Sequence, residues 1–450
     1  MRNITRRKFV DNSVKGAAAI AAGAMFQSRT SARLAGSNDK VVLALIGAGG
    51  RGSSVAGGIS KVPGVEFKYV CDCDRSRGGP VMAELTKQQG FAPQRVADMR
   101  QVLDDKDVNG VVIATPDHWH ALAAVWACQA GKDVFVEKSP SLTISEGRKL
   151  IEATKKYNRV VQVGLENRSG PYAFTARDYV QSGKLGKVVH VKVYNMLEGF
   201  NWQMGADAPT PEGLDWDRWL GPAPKVPYNP TRHRSWINFW EYKGGAIVDD
   251  GIHQLDLTRM VLGDPPHPKS VTCVGGNYAY HSKRPVPEMQ TALYDYGDFT
   301  LTIESGNSTK YMKKFPQNVR YGTDWPNWAT SACRVEIYGT KAMMYLGRHG
   351  CGWQVIGNDG HVIEQDKGYF PDKWHQPNFV ECVRSRKVPN AAIEQSHMSA
   401  CVIHMANVAY RVGSRQLFFD AQSEKFVDND AANGLLKPAY RPGYVLPDEA

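Results

Sequence analysis

Val41-Val42-Leu43-Ala44-Leu45-Ile46-Gly47-Ala48-Gly49-Gly50-Arg51-Gly52 is the stretch that decides the fold. Its first six residues are uniformly apolar, which reads as a strand covered on both faces. The next six fit G-x-G-x-x-G and open a plausible helix. The three glycines act differently. Gly47 permits the tight turn, Gly49 lets the backbone approach a pyrophosphate, and Gly52 lets helix and strand pack closely. Free N–H groups at such a helix start, from Gly50 and Arg51 onward, face an anion. Asp72 ends the next apolar run, Val65–Cys71, twenty residues beyond Gly52. A carboxylate there suits the two hydroxyls of an adenosine ribose and repels a 2′-phosphate, which favours NAD; Arg75 and Arg77 nearby leave NADP as the alternative.

Further along the chain, Val108–Ala114, Asp133–Val136 and Val160–Val163 also read as strands, with helical stretches at Ala121–Ala130 and Ser145–Tyr157. Strand–helix alternation with continuous apolar strands predicts a parallel sheet over residues 38–165. Two further strand ends carry polar groups: Ala114-Thr115-Pro116-Asp117-His118-Trp119-His120 and Val136-Glu137-Lys138-Ser139-Pro140. Ligands of such sheets bind at the carboxyl ends of strands.

Beyond residue 165 the texture changes. Residues 195–240 are rich in Trp, Pro, Gly and Asn, and the many aromatic rings there offer either flat platforms for sugar faces or anchors for long loops. A helix is predicted at Ile247–Leu262, stopped by Gly263. Strand-like runs follow at Ser270–Val274, Ala292–Tyr296, Thr300–Glu304, Arg334–Tyr338 and Ala342–Leu346, then helices at Gln376–Ser385 and Ser396–Val412. The expected fold is therefore α/β: an N-terminal Rossmann domain followed, over 166–450, by an α+β domain with a large, mostly antiparallel open sheet. Its C-terminal segment is expected to pack back on the first domain. Within the predicted helix, Asp249 and His253 are spaced i, i+4 and share a face. A carboxylate beside an imidazole fixes its tautomer and stabilises the imidazolium formed when it takes a proton.

The chain has 450 residues and a formal net charge of +10, but residues 1–36 carry six of those charges, from Arg2, Arg6, Arg7, Lys8, Lys15, Arg29 and Arg33 against Asp11. The remainder is mildly basic, and nucleic acid is not an expected partner. Arg6-Arg7 precede an uncharged, Ala-rich run from Gly16 to Phe26, too short to span a membrane. That layout predicts a twin-arginine-type signal over residues 1–36, passage through the twin-arginine export machinery and a periplasmic or otherwise exported mature protein. Eight cysteines show no Cys-x-x-Cys pair, and Cys71-x-Cys73 reads as buried thiols on one face of a strand. His118-x-His120 is the only close His pair, and no metal site is expected.

Together these pieces resemble the glucose–fructose oxidoreductase/inositol dehydrogenase/rhizopine-catabolism (Gfo/Idh/MocA) family over nearly the whole mature chain. The marks are Gly47–Gly52, Ala114–His120, Glu137-Lys138, Gln162-Val163-Gly164, Gly244–Asp256 and His375-Gln376-Pro377-Asn378-Phe379. Gly213-Leu214-Asp215-Trp216-Asp217-Arg218-Trp219-Leu220-Gly221-Pro222 is similar to an exported branch of that family. The resemblance implies an NAD(P)-dependent oxidoreductase acting on a hydroxyl of a sugar, cyclitol or glycoside, assembled as a homodimer or homotetramer. It implies a catalytic Lys138 with Asp249 and His253, His253 as base and Asp249 as its orienting partner. Gly47, Gly49, Gly50, Arg51, Gly52, Asp72, Thr115, Pro116, His120, Glu137 and Lys138 are the residues expected at the cofactor. The family's Glu-Lys-Pro is Glu137-Lys138-Ser139-Pro140 here. The alternative function is an NAD-dependent glycoside hydrolase or lyase that oxidises one carbon transiently, eliminates, and re-reduces.

Overall fold

Runs of Val, Ile and Leu that alternate with helices bury both faces, and in the computed structural model they form a parallel sheet of six strands. The structure describes residues 40–447; the expected signal, residues 1–36, lies outside them. The strands are β1 (Val41–Ile46), β2 (Val65–Cys71), β3 (Gln94–Val96), β4 (Gly110–Ile113), β5 (Asp133–Val136) and β6 (Val161–Val163). Their order, β3-β2-β1-β4-β5-β6, is that of a dinucleotide-binding sheet, with the order reversing between β1 and β4.

The register levels the strand ends. Ile46 lies opposite Cys71 on one side and Ile113 on the other. One residue further on, Gly47 N–H donates to Cys71 O, Ala114 N–H to Ile46 O, Glu137 N–H to Ile113 O and Gly164 N–H to Val136 O, each at 2.8 Å. Gly47, Asp72, Ala114, Glu137 and Gly164 therefore form one rim of the sheet.

The second sheet has ten strands in the order β14-β13-β12-β11-β7-β10-β9-β8-β15-β16. They are β7 (Val188–Leu197), β8 (Ser270–Gly276), β9 (Met289–Asp295), β10 (Thr300–Asn307), β11 (Arg334–Gly339), β12 (Met343–Gly347), β13 (Gly352–Ile356), β14 (Val362–Asp366), β15 (Leu417–Asp420) and β16 (Lys425–Phe426). All pairings are antiparallel except β7 with β10. The strand β7, central to this sheet, is not among the runs singled out in the sequence. Only Val191, Val193 and Asn195 of it are buried, and its other face carries His190, Lys192 and Tyr194. Such half-polar alternation signals a strand weakly.

The predicted helix Ile247–Leu262 is two helices, Ala246–Asp249 and Gly251–Val261, broken at Asp250. The second is buried along its whole length, packed on β7 and against the helix Ile393–Arg411. The helix Asp372–Ser385 lies on the first sheet: Phe379, Val380, Cys382 and Val383 join a core with Leu43, Leu45, Phe67 and Phe135. Burying a side chain such as Phe379 contributes about 1.5–3 kcal/mol. Of the eight cysteines, all free, Cys71 is buried, whereas Cys73 lies past the end of β2 and is only half-buried.

Candidate active site

The glycine turn after β1 has the shape its sequence calls for. Gly47 has φ +92°, a left-handed conformation, and a Cβ there would stand 2.7 Å from the backbone of Ala114 and Thr115. A Cβ on Gly52 would stand 2.0 Å from Gly47 O, so this helix is held against the turn as tightly as atoms allow. Around Gly49 and Gly50, by contrast, a Cβ would meet nothing within 4 Å. The turn thus presents bare backbone to a cleft of about 330 Å³ that also receives Asp72, Arg77, Thr115, Pro116 and Trp236.

Asp72 reaches this cleft with both oxygens already accepting backbone N–H groups, Oδ2 from Ala48 at 2.8 Å and Oδ1 from Asp74 at 2.9 Å. Burial nevertheless raises its pKa. Each oxygen retains lone-pair capacity for a ribose hydroxyl. The glycine cradle, the helix start and this carboxylate fit an NAD-type dinucleotide.

Of the residues expected at the cofactor, Gly52, His120, Glu137 and Lys138 do not line this cleft. His120 is buried, with Nδ1 2.6 Å from Ser139 O and Nε2 2.7 Å from Thr115 O. The ring thus sits between two strand-end carbonyls, and whichever nitrogen carries the proton donates to one of them. Glu137 Oε1 accepts from Arg51 Nε at 2.8 Å, and Arg51 continues to Asp372 of the helix laid across the sheet. Arg51 is thus held by two carboxylates at the edge of the cleft. Lys138 points toward the second sheet.

The Lys138–Ser139 peptide bond is cis. Lys138 Nζ donates to Asp249 Oδ1 at 2.7 Å and to the Asp249 carbonyl. Asp249 also faces Lys243 Nζ at 3.3 Å, and Lys243 in turn donates to both oxygens of Asp117 at 2.7 Å. Burial opposes charge on Lys138, but Asp249, Asp250 and Asp117 outweigh it and hold the ammonium above its ordinary range. Burial likewise opposes charge on Asp249, and Lys138 and Lys243 overcome it, keeping the carboxyl ionised.

His253 is not oriented by Asp249, contrary to the i, i+4 expectation. The helix break at Asp250 removes the common face, and two full ammonium charges outcompete an imidazole for one carboxylate. The Nδ1 of His253 instead lies 3.3 Å from Glu166 Oε2, and both atoms are buried with no hydrogen-bond partner. Burial, then the positive charges of Arg348 and Lys138, hold the imidazole well below its usual pKa, so it is neutral near pH 7. Burial pushes the Glu166 carboxyl up to about 7 against the pull of Arg348 and Arg51. Asp250 closes the group: Arg348 Nη1 donates to it at 2.8 Å and Lys314 reaches its other oxygen.

Glu166 gives the site a testable pH signature. The folded chain keeps its proton up to about pH 7, while the unfolded carboxyl releases it near 4.5. Its contribution to stability is therefore full below about 4.5 and is lost as pH rises through about 7. Thermal melts should show Glu166→Gln losing less melting temperature than the parent between about pH 5 and about pH 8. Parallel curves would contradict this assignment.

Lys138, Asp249 and His253 are thus brought to one polar cluster beside the nucleotide cleft. Lys243, Glu166, Asp250 and Arg348 belong to it too, and sequence reasoning missed them. Lys243 immediately precedes the Gly244–Asp256 stretch, and Glu166 lies two residues after Gln162-Val163-Gly164, so both flank marks that were read. Most aromatic rings of 195–240 are anchors: Trp216 stacks on Trp219 at 4.6 Å, and Trp202, Tyr228, Phe239 and Tyr242 complete a buried cluster. Trp219 and Trp236 also line the nucleotide cleft, while Trp240 lines a second cavity of about 310 Å³ together with His118, Lys243, Glu146 and Tyr440. That cavity lacks the glycine turn, Lys138 and His253.

Residues 41–165 match the family model described as "Oxidoreductase family, NAD-binding Rossmann fold", and 173–319 with 340–446 match "Oxidoreductase family, C-terminal alpha/beta domain" of the same group. The chain is 26% identical over 340 residues to scyllo-inositol 2-dehydrogenase (NAD(+)) of Bacillus subtilis, covering 74% of this chain and 82% of that one. It is 27% identical over 226 residues to the alpha-N-acetylgalactosaminidase of Shewanella oneidensis, covering 45% of this chain and 48% of that one. In fold it is similar to the aldose-aldose oxidoreductase of Caulobacter crescentus, with TM-score 0.61 and 18% identity over 84% of this chain and all of that one.

Proposed function

We propose that this chain, which belongs to the Gfo/Idh/MocA oxidoreductase family, is an exported NAD-dependent oxidoreductase that acts on a hydroxyl of a sugar, cyclitol or glycoside and retains its cofactor. The observation that carries the reading is a neutral, buried His253 and a firmly charged Lys138 assembled in one cluster beside the glycine cleft. Bound NAD supplies the hydride acceptor. Backbone N–H groups at Gly49 and Gly50 would hold its pyrophosphate and Asp72 its adenosine ribose.

His253 accepts the hydroxyl proton at Nε2, the ring nitrogen that does not face Glu166. Glu166, beside Nδ1 and with its carboxyl pushed up to about 7, stabilises in its ionised form the imidazolium that results. The Lys138 ammonium lies near the developing alkoxide, and Asp249 holds it there. The dehydrogenase relative from B. subtilis supports a cyclitol or sugar alcohol as the substrate class.

Export and retention belong together. Arg6-Arg7 ahead of a weak apolar run support twin-arginine export, a route for folded proteins. Outside the cytoplasm there is no dependable pool of free NAD, so a cofactor released each cycle is lost. Turnover must then be redox-balanced on one bound cofactor, by a second substrate that takes the hydride back. Replacing Arg6-Arg7 by Lys-Lys should leave the protein in the cytoplasmic fraction, and labelled NAD should exchange into the pure enzyme far more slowly than turnover. Variant protein outside the cytoplasm would sink the export route, and exchange within a turnover would sink retention.

The S. oneidensis relative favours a second reading, glycoside cleavage by transient oxidation. Oxidising one sugar carbon acidifies the neighbouring C–H, and elimination then expels the aglycone. A second base is needed, and His349 is one candidate: buried, kept neutral by burial and by Arg348, and close enough to His253 to depress its pKa. Mass spectrometry of products from a panel of sugars, cyclitols and glycosides, with no cofactor added, separates the readings. Keto sugar with a reduced co-substrate supports the oxidoreductase; free sugar with aglycone and no net oxidation supports cleavage. Absence of NAD(H) in the denatured enzyme, with no binding by calorimetry, refutes both.

A further inference from the structure

Four side chains from three distant segments converge inside the second domain. His397 and Cys401 are i, i+4 on the helix Ile393–Arg411. His267 sits between Pro266 and Pro268, which restrict its loop. Glu424, in the turn joining β15 and β16, has φ +51°, a left-handed conformation that non-glycine residues adopt at a cost. Its carboxylate is turned inward rather than to water.

We propose that His267, His397, Cys401 and Glu424 form a structural zinc site. One ligand atom each from His267, Cys401 and Glu424 lies within 4.8 Å of the other two. His397 Nε2 is 3.0 Å from Glu424 Oε1 and 3.3 Å from Cys401 Sγ, and His267 Nε2 is 3.3 Å from Glu424 Oε1. Bonds of about 2.0–2.3 Å around tetrahedral zinc place neighbouring ligand atoms about 3.3–3.7 Å apart, so the His397–Glu424 contact opens slightly while pairs separated by up to 4.8 Å close onto the ion.

Two imidazoles, a thiol and a carboxylate are a zinc set rather than a magnesium or calcium one. The charges close: a dication is neutralised by the Cys401 thiolate and the Glu424 carboxylate, and binding sends the thiol proton to solvent. Arg148, which donates to both Glu424 oxygens, acts from outside the shell as an orienting partner. Four protein ligands leave no open position, and all four residues are buried, which is the form of a structural site. Such a site pins the β15–β16 edge to the long helix and, through Arg148, to the helix Ile144–Lys156 of the first domain.

The same groups also satisfy much of one another without a metal. Arg148 and both imidazoles contact Glu424, and the Cys401 thiol lies against His397. His267 Nδ1 is buried with no hydrogen-bond partner, and Nε2 is the nitrogen that faces Glu424, so this orphan does not distinguish the two arrangements. Metal content decides between them. The full chain, purified without chelator or metal-affinity resin and dialysed against zinc and then buffer, is expected to hold about one zinc per chain by elemental analysis. Cys401→Ser should hold below about a tenth of that, while His253→Ala keeps its zinc. Cobalt exchanged into the parent should show a thiolate-to-metal charge-transfer band, absent from Cys401→Ser. If that variant does not fold, the parent's zinc content and cobalt spectrum decide alone. Folded parent protein with less than about a tenth of a zinc per chain, or cobalt bound without the thiolate band, overturns the site.

Discussion

Replacing His253 by Ala is expected to lower turnover by about 100-fold or more, the usual scale for a lost acid–base group, with cofactor affinity nearly unchanged. His253 is buried, held neutral, and touches no part of the glycine cleft. Lys138→Ala should cost a comparable factor, because it removes the cation proposed to stabilise the alkoxide and leaves Asp249 with Lys243 alone. Asp249→Asn should cost less, since the carboxylate holds a lysine rather than a histidine tautomer. Steady-state rates on whichever sugar or cyclitol is turned over, with NAD affinity by calorimetry, check all three. Near-normal rates in the His253 variant would remove the mechanism.

Lys243→Met is expected to cost about 3–5 kcal/mol of folding stability, the scale for a buried ion pair that loses one partner. Lys243 and Asp117 have side chains only 1% exposed, with both Asp117 oxygens at 2.7 Å from the ammonium. Methionine matches the length and apolar stem, so the loss is that of the charge. Asp117, itself buried, then keeps the Ser139 N–H, at 3.2 Å, as its remaining hydrogen bond. Asp249 loses its second cation at the same time. Denaturant unfolding measures the loss, and a change under about 1 kcal/mol would show that the Lys243–Asp117 pair contributes little to folding.

The first domain was legible from the order of residues alone. β1, β2 and β5 begin and end where the sequence reading put them; β1 does so most plainly, because a strand covered on both faces writes its limits as a block of Val, Leu, Ala and Ile, whereas β2 carries Glu66 and Lys68 among its apolar residues. The glycine spacing is equally local: Gly47 and Gly52 are imposed by backbone contacts within one turn and the neighbouring strand end. The second domain was readable as an antiparallel sheet with helices, but its central strand β7 was not, since its outward face is polar and its inward face is covered from far along the chain.

Which charges meet was settled by the packing of distant segments. Helical spacing makes Asp249 and His253 available to each other, and it is silent about Lys138 and Lys243, which arrive from 111 and 6 residues away and win the carboxylate with full charges. Glu166 reaches His253 across a comparable gap, and His267 reaches Glu424 across 157 residues. Electrostatic partners are chosen by distance through space after desolvation has raised the cost of every unpaired charge. Periodicity along the chain records which face a residue takes, whereas the partner waiting on that face is fixed when separate segments fold together.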